Sequence, residues 1–249
     1  MFSTFGQYPA VGLFSAHHII SLVACVFCII LAVVLTRKMK KETLINLFRI
    51  FSIVLTCFEL FKISWNIHNG YVYVNSWVPL YFCSLFIYAL WFSWAKNEKV
   101  REIGYSFIAL AGVFAGAVFL IVPSTSFSLY PIYHFLCLYS MLYHSIMIYS
   151  GIMIFVTKLA KPNFKFVVKY CMFTFVSMML ALTINIFFKG NLMFVASPAG
   201  VPLPFLWSIY KYSQTIYSGG VIVAHMLLGF VVWGVYELIQ KLKRKSVKR

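Results

Sequence analysis

The sequence predicts an all-α membrane protein: a seven-transmembrane helix bundle with its N-terminus outside and its C-terminus inside. Three observations predict it. Of 249 residues, 62% are hydrophobic and only 10% are charged. A water-soluble domain cannot hide that much apolar surface, so lipid is the solvent for much of the chain. Apolar runs occupy residues 14–36, 44–67, 77–95, 103–122, 132–157, 164–188 and 215–240. Each is close to the roughly 20 residues that cross a bilayer, and lipid leaves helices as the practical choice. Finally, Lys and Arg alternate between the two sides. Arg37, Lys38, Lys40 and Lys41, then Lys96, Lys99 and Arg101, then Lys158, Lys161, Lys165 and Lys169, and the tail from Lys241 to Arg249 share one face. The other face has only Lys189 and Lys211, which places the basic face inside.

The elements follow in order. Residues 1–16 carry no positive n-region, so no cleavable signal is expected. The first helix has His17 and His18 at its outer end and a mid-helix Cys25-x-x-Cys28. Without further Cys or His neighbours that pair reads as packing. The second helix carries Arg49 near its inner end, where it can snorkel, and Glu59 and Lys62 three residues apart. That spacing allows an intrahelical ion pair; a pocket role for Glu59 is the other reading. The third helix is expected to start near Trp77, an interface anchor, with Pro79 in its first turn. The fifth carries polar tips at Tyr133, His134, Ser140, Tyr143 and His144, which suggest an interior cavity or proton route. The connection 189–214 holds Pro198, Pro202 and Pro204, so no regular helix is expected there; it reads as an external loop, an interfacial segment or a lid. The seventh helix contains His225.

Composition also excludes chemistries. The net charge of +16 lies between apolar runs, so it reads as topology rather than as a nucleic-acid surface. There is no aspartate and there are five acidic residues in all, which disfavours paired-carboxylate catalysis and oxygen-ligated metals. No metal or cofactor is expected. All six cysteines lie in apolar runs, against a disulfide framework. Cys83, in WVPLYFCSLFIY, reads either as a small packing residue or as a nucleophile. Counting at 1.5 Å per residue puts it about 9 Å below the start of its helix, His144 about 18 Å below the start of the fifth, and His134 about 3 Å. Counting therefore leaves open which histidine serves as its base.

Several stretches resemble the YwaF-like family of bacterial integral membrane proteins over nearly the whole length. FSAHHIISL (14–22) is similar to the family's opening motif, with His18 in its histidine position. VPLYFCSL (78–85) is similar to its L-P-L-H-L-C-S/D-L motif, with Tyr81 in place of the usual histidine and Phe82 in place of leucine. PIYHFLCLYSMLYHSIMI (131–148) resembles the segment that ends in His-Gly, which sets His144 as the family histidine. NIFFKGNLMFVASP (185–198) keeps Asn185, Asn191 and the later proline, and Glu59 falls in a Glu-Leu position. The stretch 104–123 ends Val-Pro-Ser where the family has T-P-D, and the G-P-W-P-W-Y stretch is not recognisable.

The resemblance extends to animal relatives described as membrane acyltransferases that load acyl chains onto ether lysophospholipids. It implies a phospholipid acyltransferase or transacylase of the cell membrane, working through a cysteine acyl-thioester. Cys83 is then the nucleophile and His144 its base; Asn185 and Asn191 orient groups or polarise a carbonyl, with His18, Glu59, Tyr81 and His134 in support. The partners are phospholipids and lysophospholipids. The alternative is a transporter or a small-molecule or lipid-binding protein that uses the polar row and Glu59.

Overall fold

The computed structural model describes residues 2–201 and 203–247. Met1, Pro202, Lys248 and Arg249 lie outside the described residues, as do the side chains at 243 and 245–247, so part of the expected basic tail falls there. The described residues are all-helical: α1 (Ala16–Thr36), α2 (Lys41–His68), α3 (Val74–Trp77), α4 (Leu85–Phe92), α5 (Glu98–Ile121), α6 (Phe135–Val156), α7 (Phe164–Phe188), a 3-10 turn (Leu192–Phe194), α8 (Phe205–Tyr212) and α9 (Gln214–Val247). Among them, six helices are long and apolar enough to cross a membrane. The chain divides into two compact units, Met1–Ala160 and Lys161–Arg249.

The first unit is built around α5 and α6. Asn97 starts α5, its side chain accepting from the amides of Lys99 (2.9 Å) and Val100 (3.4 Å). Twelve residues of α5 and twelve of α6 are buried. Glycines let the two backbones touch: a Cβ on Gly112 would lie 2.9 Å from the Met147 carbonyl oxygen, and one on Gly116 2.9 Å from that of His144. Small residues at such crossings drive packing in lipid, where apolar burial supplies no drive. Gly104 does the same for α4, since its Cβ would meet the Ala89 carbonyl oxygen at 2.5 Å.

The third segment departs from expectation. A helix is expected over 77–95 with Pro79 in its first turn; the structure winds only Leu85–Phe92. Proline confines the residue before it to extended backbone, and Val78 is extended at φ −88°, ψ 113°. The chain then re-enters a helix through tight turns: Leu85 N bonds Tyr81 O (3.2 Å), Phe86 N bonds Cys83 O (3.0 Å) and Ile87 N bonds Ser84 O (3.1 Å). Irregular backbone at membrane depth is tolerated where protein covers it. Here Leu80 and Ser84 are buried, and Val78, Pro79, Tyr81, Phe82 and Cys83 are half-buried.

In the second unit, Gly229 of α9 packs on the ring of Tyr170 of α7, whose hydroxyl donates to the His225 carbonyl. The connection 189–214 corrects a second expectation, because α8 (Phe205–Tyr212) is a regular helix. Its prolines at 198 and 204 precede it, and Pro204 sits at its N-cap, where a missing N–H costs nothing.

Candidate functional site

Cys83 stands in the turn at the head of α4 rather than inside a helix, and it is half-buried. Its carbonyl oxygen accepts from the Tyr143 hydroxyl of α6 at 2.8 Å. The amides of Leu85, Phe86 and Ile87, which a helix start ordinarily leaves open, are satisfied by the turn. The open amides are displaced upstream: among the described residues, the backbone N–H groups of Cys83 and Ser84 donate to no partner. Ser84 lines a cleft of about 130 Å³ together with Glu59, Thr56, Pro79, Tyr88 and Trp91, and also Leu60, Ile63 and Ile87. The exposed side chains of Leu60, Tyr88 and Trp91 form its mouth. Its rim is tied by hydrogen bonds from Trp91 Nε1 to Thr56 Oγ1 (3.0 Å) and from Tyr88 Oη to Pro79 O (3.1 Å).

Glu59 forms the ion pair that its spacing from Lys62 allows. Its Oε1 pairs with Lys62, and the residue, 5% exposed, lies along the cleft, whose lining is almost wholly apolar. Its Oε2 accepts from Tyr139 at 3.0 Å. Tyr139 and Tyr143 are four apart on α6, so they form one stripe: one reaches α2, the other the Cys83 turn. Sequence reasoning missed Tyr139; its spacing from Tyr143 was the available signal.

The histidines separate clearly. His18 is fully buried: Nδ1 accepts from Phe14 N (2.9 Å), so Nε2 carries the proton and donates to Leu120 O (3.0 Å). His134 caps α6, its Nδ1 accepting from Leu136 N (3.2 Å) and its Nε2 donating to Ser3 O (3.1 Å). Packed against Tyr130 and Trp65, it has its pKa lowered by burial. Neither has a nitrogen to spare. His144 does. Its Nδ1 faces the Ser140 carbonyl at 2.7 Å, so the proton sits there and the lone pair on Nε2 remains. That nitrogen is buried and has no hydrogen-bond partner.

His144 and Cys83 are not hydrogen-bonded to each other. The imidazole stacks on Phe119 of α5 with centroids 3.6 Å apart, while its neighbour Tyr143 takes the side toward Cys83. The expected polar row on α6 is therefore split. Tyr133 is 70% exposed, and Cys137 is buried, with its thiol directed at Tyr130 O (3.8 Å). Tyr81 accepts from Asn75 Nδ2 at 2.8 Å. In the second unit, Asn185 brackets Leu192 through both backbone groups (2.7 and 3.1 Å), and Asn191 holds Ser197 and Ala199. Both side chains staple the loop after α7. No group of three or more His, Cys, Asp or Glu positioned to hold a metal occurs among the described residues.

Fold and composition define a multi-pass, all-α membrane protein. The family model that matches it, over residues 13–233, is that of the TMEM164 family, and the chain belongs to that family. No curated protein and no solved structure matches it.

Proposed function

We propose that this chain is a membrane phospholipid acyltransferase or transacylase in which Cys83 carries the acyl group as a thioester. One observation carries the reading: Cys83, half-buried, stands on a turn whose own amides, Cys83 N–H and Ser84 N–H, are unpaired among the described residues, next to Ser84 in the lining of a cleft. Two such donors are what a developing oxyanion needs. The resemblance to the YwaF-like proteins and their animal relatives supports the same assignment.

The chemistry balances as two acyl transfers. The Cys83 thiol gives its proton to His144 Nε2, and the thiolate attacks the donor phospholipid's ester carbonyl. The C–O bond breaks, and the departing lysophospholipid oxygen takes the proton from His144. An acceptor lysophospholipid hydroxyl then loses its proton to Nε2 and attacks the thioester, which regenerates the thiol. His144 stacks on Phe119 of α5 rather than facing the thiol, so this reading requires its imidazole to turn toward Cys83 when substrate enters. Glu59 holds Tyr139, while His18, His134, Asn185 and Asn191 act through backbone hydrogen bonds on the fold.

The same reading takes the third segment as a broken seventh crossing in the cell membrane, because the Lys/Arg alternation requires 77–95 to change sides. The N-terminus is then outside.

Vesicles holding a phospholipid with a labelled acyl chain and an unlabelled lysophospholipid test the proposal. Purified wild-type protein moves the label to the acceptor, and Cys83→Ala does not. Equal rates for the two would sink it. Glu59, an acidic residue buried alongside the cleft, favours a second reading, transport or binding of a solute. Solute flux that Glu59→Gln abolishes, without lipid turnover, would establish that one instead.

A further inference from the structure

The peptide unit that joins Cys83 to Ser84 is held from one side. Its carbonyl oxygen accepts two hydrogen bonds, from Tyr143 Oη at 2.8 Å and from Phe86 N at 3.0 Å. Its N–H, on Ser84, is one of the two amides that donate to nothing among the described residues. A trans peptide is planar, with C=O and N–H directed oppositely. Fixing the carbonyl toward α6 therefore fixes the Ser84 N–H away from it. A carbonyl that accepts strong hydrogen bonds also makes the N–H of the same unit a better donor.

Tyr143 is in turn held in place. Its ring packs edge-on against Phe86 (5.9 Å between centroids) and Tyr139 (5.6 Å), and Tyr139 is bonded to Glu59. A chain of contacts thus runs from the Glu59–Lys62 pair on α2, through the two tyrosines of α6, to the backbone of the Cys83 turn. Nothing in the resemblance motifs assigns a role to either tyrosine.

We infer that Tyr143 is a positioning residue for acyl transfer, aiming and polarising the Ser84 N–H that receives the oxyanion formed at Cys83. This rests on the acyl-transfer reading above. Tyr143 touches no reacting atom; it acts through the peptide unit.

The test measures steady-state transfer in the same labelled vesicles for wild type, Tyr143→Phe, Tyr149→Phe and Cys83→Ala, with the thermal midpoint of each. Tyr149 lies on the same helix, and its hydroxyl meets Thr36 Oγ1 at 2.9 Å, outside the site. Tyr143→Phe keeps the ring and removes the hydroxyl. Loss of an oxyanion donor costs about 100- to 1000-fold in kcat, so misaiming one is expected to cost about 10- to 100-fold with KM within about twofold. Tyr149→Phe is expected to keep the wild-type rate. A Tyr143→Phe enzyme with unchanged kcat, or a loss matched by Tyr149→Phe at an equal fall in midpoint, overturns the inference while Cys83→Ala still reports on the parent reading. If Tyr143→Phe does not fold, wild-type protein carrying ring-fluorinated tyrosines substitutes for it. A more acidic hydroxyl then raises kcat if the inference holds, and leaves it unchanged if not.

Discussion

α1 and the segment leading into α4 are opposite outcomes for an apolar run. α1 is regular and uncharged, capped by Ser15, with only His18 and Ile29 buried along 21 residues. α4 has eight residues, is headed by turns and is largely buried. Backbone in contact with lipid must satisfy itself, which demands helix, whereas backbone covered by protein is free to turn. Open amides can therefore persist at 78–84 and not within α1. The two thiols differ in the same way: Cys28 and Cys83 both lie in apolar runs, yet only Cys83 stands on irregular backbone.

The sharpest way to break the comparison is to remove both thiols in turn. Cys83→Ala is expected to lower acyl transfer by at least about 10³-fold, the scale seen when a nucleophile is lost, while Cys28→Ala leaves it unchanged. Next come the histidines. His144→Asn is expected to cost about 10²-fold or more in kcat, as for loss of a general base. His18→Ala instead leaves the Phe14 amide and the Leu120 carbonyl unpaired. It is expected to lower the thermal midpoint, with the rate per folded molecule preserved.

Packing gives a smaller effect. Gly104→Ala forces a Cβ onto the α4 backbone, at 2.5 Å from Ala89 O and 2.6 Å from Ser93 N. No side chain can yield there, so a loss of about 1–3 kcal/mol is expected. Gly234→Ala in α9 meets nothing within 4 Å and is expected to be neutral or slightly stabilising. Thermal unfolding in detergent distinguishes the two.

The six long helices lie within a few residues of apolar runs because membrane thickness writes itself into sequence as run length. The Glu59–Lys62 pair was legible for the same kind of reason, since a spacing of three puts both on one face. The broken third segment was not. An apolar run looks alike whether lipid or protein surrounds it, and Pro79 suits both a helix start and a turn. The separate directions of Tyr143 and His144 were also hidden. Adjacent helical residues point about 100° apart, but which neighbour each meets depends on α4 and α5 packing.

The smallest effect concerns His134. An unfolded imidazole takes a proton near pH 6.5, while burial holds the folded one lower. Between those values the unfolded state binds more protons, so stability falls as pH drops below about 6.5. Protonation also removes the Nδ1 acceptor that caps α6. His134→Asn, which keeps a capping acceptor, is expected to flatten the dependence of the thermal midpoint on pH.

The most direct measurement is intact-mass and peptide mass spectrometry of purified protein after incubation with phospholipid bearing a labelled acyl chain and no acceptor. A labelled acyl mass on the peptide containing Cys83, released by hydroxylamine and by added lysophospholipid, is the predicted result. Lipid turnover without any such adduct, or with it on another residue, would contradict the account.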